Sequence, residues 1–368
     1  MQSLTIGSAT ATPGEIATGW FDAVGLPTGA SDRFPVIIVQ GKNPGPVFWV
    51  TAGIHGGEHA GVVAAQQLVT PELAAGLRGT LVVIPALNPS GLRTRERSPY
   101  YANSDPNRLF PDTENGGDDD EPSTGGLEAA YKRLYGIIER TRPIALLDLH
   151  TAQINSLPMV FRDPVFYHRR RSRGRTRAEA ETLQHKVGAL LDAFGFMVIN
   201  EFAAESYLSK NLHRSVSGAV LNGLGIPAAT IELGSWMHLD AGVVEACVAG
   251  LRNALRWAGM LGGAMEPVEG IAKVQANGPV RRHMAPRATT AGLAVPLVRP
   301  GERITKGQPL ARLVDIFGQP AGKDDGLLLS EHDGFVLAWQ HGVVRYEGEP
   351  VMMLAIPDDS EMVVAYPY

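Results

Sequence analysis

The chain reads as an α/β protein, in which a mixed, mostly parallel sheet flanked by helices is followed by a smaller carboxyl-terminal all-β domain. Three observations point there. From about residue 40 to 262, short apolar runs of strand length alternate with segments of helical periodicity, the pattern of a helix-covered sheet. At 259–267 (GMLGGAMEP), glycines and a proline interrupt that pattern as a junction would. Beyond about 270, apolar and polar residues alternate, glycines are frequent and helical patterns are few. The expected division is 1–265 and 266–368.

Taken in order, residues 1 to about 40 are short strands broken by Gly and Pro, the strongest being 34–40 (FPVIIVQ). Next, 46–52 (PVFWVTA) is a buried strand and 60–68 (AGVVAAQQL) restarts with helical spacing, so 51–59 (TAGIHGGEH) contains a strand-to-helix turn. That turn carries His55 and Glu58 three residues apart between small glycines, a metal-ligand spacing. A catalytic metal of this type takes three protein donors, and the third candidate is His150, at the end of the apolar run 144–150 (IALLDLH). In open α/β sheets ligands gather at the carboxyl ends of strands, where both histidines would project. Either histidine alone reads more simply as a hydrogen-bonded structural residue; the combination favours a metal.

Between these strands lie 88–97 (NPSGLRTRER) and 104–110 (SDPNRLF). A planar guanidinium reads a carboxylate through two parallel hydrogen bonds, and a neighbouring amide adds a donor, so Asn107 and Arg108 look like a carboxylate clamp. Arg97 could face the metal and stabilise an oxyanion, although arginines in a polar loop are also ordinary solvated charges. The acidic stretch 115–124 (NGGDDDEPST) reads as a loop before a helix that begins near Leu127, with a calcium site as the lesser alternative. The run 168–177 (HRRRSRGRTR) is a solvated loop or the rim of a substrate entrance. In 226–234 (IPAATIELG), Glu232 is a single carboxylate within an otherwise buried strand. Burying it unpaired is costly, so it must face a metal, a cation or a solvated cleft, which makes it the best general-base candidate; a structural salt bridge competes. Within 152–225, Arg162, Tyr207, Lys210, His213 and Arg214 are candidates to line a pocket.

Together HxxE, NPxG, DxNRxF, the strand-end DLHT of Asp148 to Thr151 and the late TIELG resemble the zinc carboxypeptidase superfamily, and within it the succinylglutamate desuccinylase and aspartoacylase branch. That resemblance implies a zinc carboxypeptidase-like fold and one zinc per chain, held by His55, Glu58 and His150. It further implies Glu232 as the base that activates water, Asn107 and Arg108 as contacts to a substrate carboxylate, and Arg97 as a group polarising the scissile carbonyl. Extra residues between Arg97 and Asn107, including Pro99, leave Arg95 as an alternative to Arg97, and Pro106 also departs from the family pattern.

The carboxyl-terminal stretch 293–313 resembles the barrel-sandwich fold of lipoyl and biotinyl carriers, but the turn at 315–319 (DIFGQ) has no lysine to modify. A wall beside the active site that admits small molecules and excludes polypeptides is the better expectation. The reaction implied is zinc-dependent hydrolysis of a small amide, most naturally deacylation of an N-acyl amino acid of the N-acetyl or N-succinyl type. The alternatives are a metallocarboxypeptidase acting on short peptides, an iron oxygenase with a two-histidine, one-carboxylate site, and a non-catalytic metal or small-molecule binding protein.

Composition agrees with a globular enzyme: 44% of residues are hydrophobic and 19% charged. A net charge of -5 gives no case for nucleic acid or an anionic membrane, and self-association into a homo-oligomer stays open. Cys247 is the single cysteine, so no intrachain disulfide can form, and its place in the amphipathic pattern 241–251 marks it as a core residue. With neither a leader pattern nor a membrane-length apolar run, the expected location is the cytoplasm.

Overall fold

The computed structural model describes residues 3–112, 126–169 and 174–367. The acidic stretch 115–124 and positions 170–173 of the arginine-rich run lie outside the described residues.

Among the described residues a twelve-stranded sheet organises the molecule. At its centre Asn43–Ala52 runs parallel to Arg78–Ile84 on one side and to Ala145–Ala152 on the other, with Ala52 opposite Leu149. Ala228–Ser235 continues parallel to Ala145–Ala152, and Met159–Arg162 is antiparallel to Ala228–Ser235. In Arg78–Ile84 every residue after Arg78 is buried, as are the first seven residues of Ala145–Ala152. Strands covered on both faces need apolar side chains at successive positions, which is why these segments appear in the sequence as unbroken runs. Toward one edge, Ser31–Gln40 is antiparallel to Arg78–Ile84 and Ile16–Gly25 is antiparallel to Ser31–Gln40. Burial in these two outer strands largely alternates, as expected where one face meets solvent.

Helix Ala241–Trp257 packs against both His59–Leu68 and Arg177–Phe194, and His59–Leu68 also meets Asn43–Ala52 and Ala145–Ala152. A capping box starts Arg177–Phe194, with Thr176 accepting from the Glu179 amide and Glu179 accepting from the Thr176 amide. Cys247 is fully buried, in the core as expected. Gly126–Thr141 docks through Tyr131, whose ring stacks between Phe34 and Phe110.

The residues after the junction are predominantly β, in line with the expected architecture. The sheet itself does not stop at the junction. Val280–Met284 meets Met197–Asn200 at the pair Asn200 and Arg281, and Met352–Pro357, Gly334–Trp339 and Arg303–Ile304 extend the sheet antiparallel beyond it. A separate four-stranded antiparallel sheet packs over this extension around Leu310, Leu313, Val336, Met352 and Leu354. A further cluster joins Met159, Phe161 and Ile199 to Phe335, Leu337 and Met353, so the two regions share a core. Covering the Met197–Asn200 edge pairs backbone groups that would otherwise be open to another chain.

Candidate active site

His55 and Glu58 lie between the end of Asn43–Ala52 and the start of His59–Leu68, and the backbone here tolerates no side chain. A Cβ on Gly56 would come 1.9 Å from the Gly91 carbonyl carbon, and one on Gly57 would enter the Trp236 ring at 2.1 Å. The glycines therefore let the metal turn press against the 88–97 segment. That segment is fixed by Asn88, whose Oδ1 accepts from the Gly91 amide at 2.8 Å as the cap of Pro89–Thr94, and whose Nδ2 donates to the Arg97 carbonyl at 3.2 Å. Arg97 is thereby directed to the pocket. Arg95 instead takes a left-handed backbone conformation after the helix and is exposed.

Because Asn43–Ala52 and Ala145–Ala152 are adjacent and parallel, His150 emerges beside the glycine turn. One donor atom from each of His55, Glu58 and His150 lies within 4.8 Å of the others, and all three side chains are buried. Glu58 sits between the rings, 2.8 Å from His55 Nδ1 and 2.7 Å from His150 Nδ1. Burial alone would raise its pKa, but the two histidines outweigh burial and hold the Glu58 carboxyl well below the usual range. Burial likewise acts to lower His150, and Asp148 and Glu58 overcome it to raise the imidazole well above its ordinary value.

The far nitrogens are also held. His55 Nε2 is 3.0 Å from Asp105 Oδ1, and His150 Nε2 is 2.7 Å from Asp148 Oδ2. Asp148 is oriented in turn by the Thr51 hydroxyl, which donates at 2.6 Å. Both Nδ1 atoms point to one place with carboxylates behind them, the arrangement that fixes metal-ligating imidazoles, so the residues present fit a zinc-type ion. Asp148 was visible in the sequence, two residues before His150 and hence on the same strand face. As an expected result, Asp148→Asn lowers metal affinity by about 10–100-fold, measured by competition with a chromogenic chelator. Unchanged affinity would remove Asp148 from this role.

Glu232 is opposite His150 in the strand register, so it faces the same cavity. It is 9% exposed, and its Oε2 has no hydrogen-bond partner among the described residues. Burial is the main cause pushing its pKa up to about 7. Asn107 is buried, with Oδ1 accepting from the Val216 amide at 2.9 Å and Nδ2 3.5 Å from His150 Nε2. Arg108 donates to the carbonyls of Lys210 at 2.9 Å and Asn107 at 2.6 Å. Arg97 Nη2 donates to Asp105 Oδ2 at 2.8 Å, while its Nη1 is 4.0 Å from Glu58 Oε1.

All seven residues singled out from the sequence as site candidates line one cavity of about 110 Å³. The residues named within 152–225 do not. Arg162 points away and donates to Asn200 Oδ1 at 2.8 Å, while Phe161 and Asp163 on either side of it line the cavity, as strand alternation requires. Lys210, His213 and Arg214 also lie off the cavity, and Tyr207 stands behind it, donating to Asp163 at 3.2 Å. Arg175 is no solvated charge either: it donates to the backbone carbonyls of Phe166 and Asn222 at 3.1 Å each. The sequence suggests a wall from beyond the junction but not which residues form it; Arg282, His341 and Met353 close one side of the cavity. His341 is in a loop whose strand is tied across by the paired Ile154 and Trp339 backbones, and its ring meets Trp236 edge-on at 5.7 Å.

A helix-flanked, largely parallel central sheet with a buried His–Glu–His cluster at the carboxyl ends of adjacent strands defines a protein of the zinc carboxypeptidase-like superfamily. Residues 44–258 match the model of the succinylglutamate desuccinylase/aspartoacylase catalytic domain. The chain belongs to the succinylglutamate desuccinylase/aspartoacylase family, whose members are hydrolases that remove acyl groups from amides. Solved structures agree in fold. A succinylglutamate desuccinylase/aspartoacylase from Rhodobacter sphaeroides is similar at TM-score 0.71 and 21% identity, over 93% of this chain and 96% of that one. The product-bound ectoine utilization protein EutE (DoeB) from Ruegeria pomeroyi gives TM-score 0.71 and 19% identity over 93% and 95%. An aspartoacylase family protein from Mesorhizobium loti gives 0.69 and 18% over 95% and 96%. Among curated protein sequences none matches the chain. No helix among the described residues is long and apolar enough to cross a membrane.

Proposed function

We propose that this protein is a zinc-dependent deacylase that hydrolyses the amide of a small, carboxylate-bearing N-acyl amino acid. The observation that carries this reading is the orphaned, buried Glu232 carboxylate facing the His55–Glu58–His150 cluster across adjacent strands. His55 and His150, through Nδ1, and the Glu58 carboxylate would hold the ion. Bound there, it supplies a Lewis acid that polarises a carbonyl and makes water a nucleophile near neutral pH. Glu232 accepts the proton of the attacking water through its unpartnered oxygen and returns it to the leaving amine nitrogen. The Arg97 guanidinium faces the side where negative charge develops on the amide oxygen. Asn107 and Arg108 hold the substrate carboxylate, so that binding energy becomes orientation of the amide.

A cavity of about 110 Å³ suits a small acyl amino acid better than a polypeptide, and we assign the wall formed by Arg282, His341 and Met353 to a proposed carboxyl-terminal domain, 266–368, beside the catalytic 1–265. The reading is tested by acid release from a panel of N-acyl amino acids and unmodified dipeptides, with metal content determined on the same sample. Turnover of dipeptides alone would replace it with the carboxypeptidase reading. Within it, Arg97→Ala lowers kcat by about 10²–10³-fold while Arg95→Ala leaves it within about 2-fold. Equal losses would show that Arg97 has no special position at the carbonyl.

A further inference from the structure

The deacylase reading treats His341 as wall, yet its imidazole brings a donor and an acceptor to the cavity from beyond the junction. Its position is tied to the metal turn through Trp236. The Trp236 amide donates to the Ala152 carbonyl and the Met237 amide to the Gly57 carbonyl, at 3.1 Å each. The Trp236 ring therefore lies over the glycines between His55 and Glu58, in the space that a Gly57 side chain would need. Against that ring His341 packs edge-on at 5.7 Å, and it is close enough to feel the charges of both Arg97 and Glu58. It thus stands on the Arg97 side of the cluster, where the amide oxygen of the substrate is directed.

The loop that presents His341 is built to hold still. Trp339 and Ile154 exchange backbone hydrogen bonds at 3.0 Å each, and the Trp339 indole donates to the Val298 carbonyl at 3.0 Å. Arg345 is only 7% exposed, and among the described residues it makes no salt bridge. Its guanidinium instead donates to the carbonyls of His341 and Gly342 at 3.0 Å each and of Val344 at 2.5 Å. Burying a guanidinium is costly unless its donors are used, and here they fix the turn that begins at His341.

We propose that His341 is a further catalytic residue, whose imidazole N–H donates to the scissile carbonyl oxygen beside Arg97, and that Arg345 is the positioning residue that aims it. This rests on the deacylase reading. Such a donor acts where negative charge develops and requires no rearrangement when its loop is already fixed. Burial holds the imidazole below its ordinary range, Arg97 and Arg345 lower it further, and Glu58 opposes them.

The experiment uses the zinc-loaded full chain and the N-acetyl amino acid that it cleaves fastest. His341→Ala is expected to lower kcat by about 10²-fold with KM little changed, the loss typical of one oxyanion donor. His341→Gln, which restores an N–H, recovers at least about 10-fold of it. By calorimetry, His341→Ala weakens binding of the methylphosphonamidate analogue, which mimics the tetrahedral state, by a similar factor and leaves binding of the free amino acid product within about 2-fold. Arg345→Met lowers kcat in the same way, and the double variant is no slower than His341→Ala alone, because the two residues act through one contact. Multiplied losses in the double variant would reduce Arg345 to a stabiliser of the loop. A kcat in His341→Ala within about 3-fold of wild type, or a change in KM alone, would overturn the role of His341 while leaving the deacylase standing. If wild type cleaves no N-acetyl amino acid, the deacylase reading fails and this inference fails with it.

Discussion

Glu232→Gln is expected to keep about one metal ion per chain and to lower kcat by about 10²–10⁴-fold, the usual contribution of a positioned general base. The substitution preserves size and removes only the ability to accept a proton. Glu232 is not one of the three clustered donors, so metal content, measured by elemental analysis after dialysis, stays near wild type. Its strand is pinned on both sides, with Glu232 opposite His150 on one neighbour and Met159 on the other, so the amide is delivered to the same place as the acid. A loss in kcat with KM little changed is therefore the expected signature, since the group acts on the transition state rather than on binding. Turnover within a few-fold of wild type would remove Glu232 from the role of base.

Chelation is the second large effect. Dialysis against a strong chelator is expected to abolish acid release, and stoichiometric zinc to restore it. The same treatment changes stability, because an ion that binds only the folded chain stabilises it by about 4 kcal/mol at a thousand times its Kd. Without it, Glu58, Asp105 and Asp148 still bridge the two histidines, so the fold persists and Tm falls by several degrees rather than collapsing. Release insensitive to chelation, with no zinc in the purified protein, would overturn the metal-dependent reading; iron together with oxygen consumption would replace it with the oxygenase.

Much of this site is legible in the sequence because it is built from local rules. Gly56 and Gly57, the two residues inside HxxE, are explained by the close approach of Gly91 and Trp236. The NPxG stretch is a cap that steers Arg97, and the apolar runs before His55 and His150 are adjacent parallel strands. Each of these depends on near neighbours in the chain or on an apolar pattern that only a doubly covered strand satisfies. Pocket-lining residues in 152–225 were not legible, because which of Arg162 or its neighbours faces inward depends on the phase of a short strand, and a shift of one residue reverses every side chain.

The sequence by itself determined the α/β class, the gathering of His55, Glu58 and His150 beside Glu232, and the β character of the last hundred or so residues, since periodicity, turn chemistry and the cost of a buried carboxylate are properties of short segments. Only the tertiary structure decided that the sheet runs on past the junction through Asn200 and Arg281, and that Arg282, His341 and Met353 come back to close the cavity. It alone gave Glu201 to Arg282. Asn200 with Arg281 and Glu201 with Arg282 are each 81 positions apart, and such pairings exist only after the whole chain has brought them together.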